Sequence, residues 1–466
     1  MVFSSLMFLC GFLPLTVLIY RLLPARLRNG FLLLMSLLFY AWGEPIYVLL
    51  MAGSILVNYF GGIAVAKQQQ KRENGGKSAL IVTTVIDLLL LCFFKYTDFL
   101  LGTFNSLTDA AIPLLKLALP IGISFYTFQA LSYVIDVYRK EVRVQKSLID
   151  FAMYVTLFPQ LIAGPIVRYA DVENQMRGRD EGAEKFWAGI VRFCVGLGKK
   201  ALLANQAGKL WDTISAQQDL PAATAWLGAV AFTFQIYFDF SGYSDMAIGL
   251  GKMFGFDFTE NFRYPYQSDS ITEFWRRWHI TLSTWFREYV YIPLGGNRRG
   301  KGRQVFNLFV VWALTGLWHG AGWNFLCWGL YFFVLLVLEK NFLLKALKKI
   351  PAVFRHIYAL LLIVLGWVLF AVEDFKALGS YTKALFGANG GGNAQTLYLL
   401  GSYAVLLIVM TVASTELPAR IGRSLCKRCS ENAATFLQAV WSAALLILSM
   451  SAIVADSYNP FLYFRF

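Results

Sequence analysis

Apolar residues fall in long runs along this chain, and polar residues gather in the short stretches between them. The first run covers residues 3–23. At 1.5 Å per helical residue that is enough to cross a hydrocarbon core of roughly 30 Å. Two further runs are separated at Gly43-Glu44-Pro45, and residues 80–101 and 111–138 follow. Residues 151–167 are shorter, contain Pro159 and Gly164-Pro165, and have basic residues on both sides. That pattern predicts a re-entrant or interfacial segment. Residues 186–205 and 222–254 form another out-and-back pair. Residues 305–317 look short for a span, and residues 323–338 come after Gly320 and Gly322. The last runs are 358–372, 398–414 and 433–455. The pattern predicts an all-α, polytopic membrane protein with roughly eleven or twelve segments, some short or re-entrant. No linker separates a second domain, so residues 1–466 read as one.

Charge placement orients these spans. Arg21, Arg26 and Arg28 follow the first run, with no basic residue ahead of it. Basic stretches recur at 67–77, 139–146, 257–303, 340–355 and 420–428. Each out-and-back pair returns to such a stretch, which predicts cytoplasmic loops there and both termini outside. The first run has no small-residue cleavage site after it and is expected to stay uncleaved.

Composition agrees. Hydrophobic residues make up 57% and charged residues 15%, against about 25% charged in ordinary soluble domains. The mean hydropathy is +0.54. Disordered and disulfide-stapled chains are excluded, and a soluble enzyme is disfavoured. The net charge of +14 (42 Lys and Arg against 28 Asp and Glu) sits in short loops, which suits a cytoplasmic membrane face and not nucleic-acid binding. Cys10, Cys92, Cys194 and Cys327 stand singly in apolar runs. Cys426-Lys-Arg-Cys429 has no second pair and no nearby His, so it reads as a basic loop and no metal is expected.

An ionisable side chain at membrane depth is a functional candidate by default. Histidine occurs only as His279, His319 and His356; His356 reads as part of a basic flank. His319 lies between two apolar segments, neither of which spans well alone. It is either a structural imidazole bonded to a neighbouring helix or a reactive one at the bottom of a cavity. The second reading uses its titration near neutral pH and the close approach that Gly320 and Gly322 permit. His279 closes the stretch Asp269 to His279. Ser270 and Glu273 form a capping-box pattern. Stepping about 100° per residue, Phe274, Trp275, Trp278, Leu282, Trp285, Phe286 and Tyr289 fall on one stripe. The expectation is an interfacial amphipathic helix with Arg276, Arg277, Arg287, Glu273 and Glu288 opposite and His279 at the stripe's edge, as anchor or reactant. Asp239-Phe240-Ser241-Gly242-Tyr243-Ser244-Asp245 is a polar patch in an apolar run. Residues six apart are about 240° apart on a helix, so the two carboxylates are not an obvious acid/base pair. They are expected to line a wet funnel or pair with Lys199 and Lys200.

Several motifs are familiar. They are residues 120–128 (PIGISFYTF), 237–249 (YFDFSGYSDMAIG), 273–279 (EFWRRWH), 294–298 (LGGNR) and 317–320 (LWHG). Together they resemble the membrane-bound O-acyltransferase family, in the bacterial branch with alginate-type O-acetyltransferases, over nearly the whole chain. The resemblance implies a ring of tilted helices around a central tunnel. It matches the catalytic histidine to His319 and the second polar position to His279. Trp318, Trp275, Arg276, Glu273, Asp239, Ser241, Tyr243 and Asp245 are candidates for lining the substrate path. No cofactor is expected to be bound; acetyl-CoA or another cytoplasmic acyl donor would be substrate. Implied partners are membrane lipid, a polysaccharide acceptor and a separate extracytoplasmic acetyltransferase, with the chain in the bacterial cell membrane. The basic residues at Arg276, Arg277, Arg287, Arg298, Arg299, Lys301 and Arg303 would draw a phosphate-bearing donor, or simply follow the positive-inside bias. The aromatic tail, Phe461 to Phe466, is expected to fold back into the outer funnel, with an interfacial belt as the alternative.

Three rivals remain at this level, one of them a pure scaffold for an export complex, which would leave His319 unexplained. A D-alanyl transfer protein for teichoic acid would share the motifs around His279 and His319. A transporter or flippase would show inverted repeats, and none stands out.

Overall fold

The structure is a computed structural model, and it describes residues 2–72, 75–455 and 461–462. The described chain is all helical. In order come α1 (Leu13–Leu22), α2 (Ala25–Ala41), α3 (Tyr47–Lys71), α4 (Lys77–Thr108), α5 (Ile123–Arg139), α6 (Leu148–Thr156), α7 (Phe158–Leu161) and α8 (Tyr169–Val172). Then follow α9 (Ala183–Gly198), α10 (Asn205–Ser215), α11 (Ala222–Met253), α12 (Ile271–Arg277), α13 (Ile280–Phe286) and α14 (Lys301–His319). The rest are α15 (Trp323–Leu338), α16 (Leu344–Leu347), α17 (Ala352–Ala371), α18 (Phe375–Leu385), α19 (Ala394–Ala413), α20 (Leu417–Arg428) and α21 (Glu431–Ala455). Among the described residues, α3, α4, α17, α19 and α21 are long and apolar enough to cross a membrane. The chain is a polytopic membrane protein.

It divides into two compact units, residues 1–193 with 244–259, and residues 194–243 with 260–466. In the first unit, helix breaks follow proline and glycine. Residues 42–46 separate α2 from α3 around Pro45. The run at 111–138 is helical only from Ile123, because Pro113, Pro120 and a left-handed Gly122 (φ 76°) precede it. Residues 151–167 contain no long helix. The short α6 and α7 are divided at Leu157, and this stretch is almost wholly buried. Asp245 pairs with Arg192 at 2.6 Å within this unit.

The second unit holds both candidate histidines, and three expectations change there. Residues 271–289 are not one interfacial helix. The helix stops at Arg277, Trp278 is extended, His279 is left-handed (φ 43°), and α13 restarts at Ile280. The residues of its aromatic stripe are packed inside protein, not against lipid. Trp275 meets Trp312 at 4.6 Å and Phe332 at 4.9 Å between ring centroids, and Trp278 meets Trp367 at 4.8 Å. Second, α14 is longer than the apolar run, since Lys301 to Gln304 form its first turn. Third, the basic stretch 420–428 is helical. Leu417, Ile421 and Leu425 recur every four residues along α20, and Pro418 sits in its first turn.

Helices α14 and α15 pack closely through glycine. A Cβ on Gly316 would lie 2.4 Å from the Phe325 carbonyl oxygen, and one on Gly329 would lie 2.3 Å from that of Trp312. Backbone approaches this near exclude every side chain, so the two helices are held together along the face that ends at His319.

Candidate active site

His319 is the last residue of α14, and an extended Gly320 turns the chain towards α15. Its imidazole is buried. The rings of Trp318, Trp328 and Phe370 surround it at 5.1, 5.0 and 5.5 Å, all edge-on. Gly320 is required by sterics: a Cβ there would fall 2.2 Å from the Phe325 ring. Asn324 ties the start of α15 to α17 by donating to the Phe370 carbonyl at 3.1 Å.

His319 forms part of the wall of a small cavity of about 20 Å³. The same wall includes Asp239 and Phe240 of α11, Trp278, Trp367, Phe461 and Leu462. Asp239 is buried and forms an ion pair with Lys200, Nζ to Oδ1 at 2.5 Å, which was one of the two sequence expectations for it. Its other oxygen accepts the backbone N–H of Leu462 at 2.6 Å. Phe461 lies 4.7 Å from the Tyr243 ring and 5.4 Å from the Lys200 ammonium. The described part of the aromatic tail thus enters this cavity; Tyr463 to Phe466 lie outside the described residues.

His279 is equally buried and faces the same aromatic wall. The Phe240 ring meets it edge-on at 4.7 Å, and Trp318 is 5.8 Å away. His279 and His319 are near enough for a charge on one to be felt at the other. The Nδ1 atom of His279 is 3.0 Å from Asn261 Oδ1, and Nε2 is buried without a hydrogen-bond partner among the described residues.

Two residues that sequence reasoning did not single out hold this geometry. Asn261 also receives the Ile280 amide on its backbone carbonyl at 3.0 Å. Glu339, which is fully buried, accepts the amides of Ile271 and Thr272, each at 2.7 Å, and the Thr272 hydroxyl at 2.6 Å. A carboxylate on the first amides of α12 satisfies donors that no helix can satisfy itself. A lone acid closing the apolar run of α15 is the one sequence signal that could have found Glu339. Nothing local marks Asn261.

Of the other candidates, Trp318 packs on both histidines and Tyr243 on Phe461, while Glu273, Arg276, Ser241 and Asp245 are not in the cavity wall. Ser270 Oγ accepts the Glu273 amide at 3.2 Å, as the capping pattern predicts, while Glu273 reaches back to the Asp269 amide and pairs with Arg277 at 2.5 Å. Arg276 is exposed. Ser241 is buried in α11 but is not in the cavity wall, and Asp245 belongs to the other unit.

The sequence model of the membrane-bound O-acyltransferases matches residues 37–372. The chain belongs to this family. The "probable alginate O-acetylase" of Azotobacter vinelandii is 38% identical over 100% of both chains. The peptidoglycan O-acetyltransferase of Helicobacter pylori is 32% identical over 100% of this chain and 98% of its own. The teichoic acid D-alanyltransferase of Bacillus subtilis is 29% identical over 49% of this chain and 60% of its own. The chain is accordingly an O-acyltransferase, and both histidines lie within the stretch that the family model covers.

Proposed function

We propose that this protein takes an acyl group, acetyl in the simplest case, from a cytoplasmic donor such as acetyl-CoA and passes it across the bacterial cell membrane for O-acetylation of an extracytoplasmic polysaccharide. His319 is the catalytic histidine. The observation that carries this reading is the seat of His319: a buried imidazole in the wall of a small cavity, with aromatic rings packed edge-on around it. As general base it takes the proton of the acceptor hydroxyl while that oxygen bonds to the acyl carbon; the bond from acyl carbon to donor sulfur breaks, and the thiolate leaves with the proton. Burial strengthens each polar interaction in such a site and suppresses hydrolysis of the donor.

Exposed cations support a phosphate-bearing donor: Arg276, Arg287, Arg298, Arg299, Lys301 and Arg303 lie on one stretch of chain beside the His279 helices. The acetyl group and the polysaccharide follow the full-length likeness to alginate and peptidoglycan O-acetylating proteins. A separate extracytoplasmic acetyltransferase completes transfer to the polymer. Likeness to the Bacillus D-alanyltransferase over half the chain favours a second reading, D-alanyl transfer to teichoic acid.

The test is polymer ester content in cells carrying the wild type or His319→Ala at matched membrane levels. Loss of ester with normal protein is the expected result, and the acid released by mild base, acetate or alanine, separates the two readings. Retained ester in the variant would overturn the role of His319.

A further inference from the structure

The Asn261–His279 contact has a chemical sense beyond holding two helices together. Three groups converge on one oxygen. The Thr281 amide reaches Asn261 Oδ1 at 3.3 Å, the Thr281 hydroxyl at 3.0 Å, and His279 Nδ1 at 3.0 Å. A backbone amide can only donate, so the side-chain atom it faces is the carbonyl oxygen and not the NH2 group. His279 Nδ1 can approach that oxygen favourably only if it carries a proton. A neutral imidazole has one N–H, so Nε2 is then the lone-pair nitrogen. Nε2 is buried and meets no hydrogen-bonding atom among the described residues.

The backbone enforces the same arrangement. His279 is left-handed, with φ 43° and ψ 55°, and neither neighbour is glycine or proline. Histidine tolerates that region better than most residues, though at a cost. The Ile280 amide, bonded to the Asn261 carbonyl at 3.0 Å, fixes the turn immediately after it.

We propose that Asn261 is a positioning residue for acyl transfer: its side-chain oxygen holds His279 in the tautomer protonated at Nδ1, so that Nε2 presents its lone pair at the start of each cycle. This rests on the acyltransfer reading above. An asparagine orienting a reactive imidazole recurs in unrelated enzymes. The groups packed around His279 are the rings of Phe240, Phe262 and Trp318, with His319 as the titratable neighbour.

Nitrogen-15 NMR of histidine-labelled full-length protein in detergent tests the tautomer directly, because protonated and lone-pair ring nitrogens resonate far apart. With three histidines in the chain, His356→Gln and His319→Gln variants assign the signals. The expected spectrum has His279 Nδ1 protonated and Nε2 bare. The kinetic arm uses Asn261→Asp, which keeps the acceptor oxygen and adds a charge, and Asn261→Leu, which removes it. The aspartate variant should stay active with the acid limb of its pH–rate profile raised by about one unit or more. The leucine variant should lose at least tenfold in kcat with KM little changed. A wild-type His279 protonated at Nε2, or an Asp variant with an unshifted profile, would overturn the proposal. The spectrum needs no substrate, so a wrong acyltransfer reading would show itself separately, as ester that survives His319→Ala.

Discussion

Removing the Glu339 carboxylate tests what holds the His279 helices in place. Glu339 has no exposed surface, and it accepts two backbone amides and one hydroxyl at 2.6–2.7 Å, with the Tyr358 hydroxyl further off at 3.3 Å. Hydrogen bonds to a charged group contribute about 1.5–3 kcal/mol each, so the three short ones sum to about 4–9 kcal/mol. The Thr272 hydroxyl can rotate to another acceptor, which leaves about 3–6 kcal/mol for Glu339→Ala, chiefly from two orphaned amides. Glu339→Gln keeps the shape and one acceptor oxygen, and should cost roughly half as much. Membrane proteins commonly unfold irreversibly, so the readout is the midpoint of thermal inactivation in detergent, compared side by side, and not an equilibrium free energy. The order should be wild type, then Gln, then Ala. Transfer activity should fall in the same order, because displacing a reacting group by about 1 Å can cost on the order of a hundredfold in rate. An Ala variant with the wild-type midpoint and full activity would refute the assignment of Glu339 as the anchor of α12.

Other perturbations separate local effects. Lys200→Met strands the Asp239 carboxylate and should cost about 3–5 kcal/mol, while Lys200→Met with Asp239→Leu should recover much of that stability in the same thermal assay. Removing Phe461 to Phe466 should abolish acyl transfer and leave folding intact, since the tail bounds the cavity through only two described residues; unchanged ester content would end that idea. Gly316→Ala and Gly329→Ala should force α14 and α15 apart and lower both thermal midpoint and ester yield. Gly302→Ala, with nothing within 4 Å of its new Cβ, should be silent.

Helix breaks were legible at Pro45 and at Gly320 to Gly322, because glycine and proline act on the backbone locally, but the break that Pro113, Pro120 and Gly122 make in the run 111–138 was hidden by its apolar composition. His319 was legible because an imidazole between apolar segments is costly and rare. The break at Trp278 was not, because no local breaker marks it. The chain stops being helical there because Trp278 packs on Trp367 and because Asn261, 18 residues earlier, binds the turn. The same limit applies to α12 to α13 as a whole. An aromatic stripe at helical spacing looks alike whether lipid or tryptophan covers it. For α20, charge suggested a loop, but the fourfold spacing of Leu417, Ile421 and Leu425 was the better guide.

The cavity beside His319 holds about 20 Å³, close to the room that one ordered water needs. It is too small for a thioester and a sugar hydroxyl together. If acyl transfer takes place beside His319, as proposed, the rings of Phe240, Trp278 and Phe370 that line this space must part to admit both reactants and close again, a gating step of the kind that sets the pace of many enzymes. Variants with smaller rings at these positions would then trade a faster gate for a leakier one.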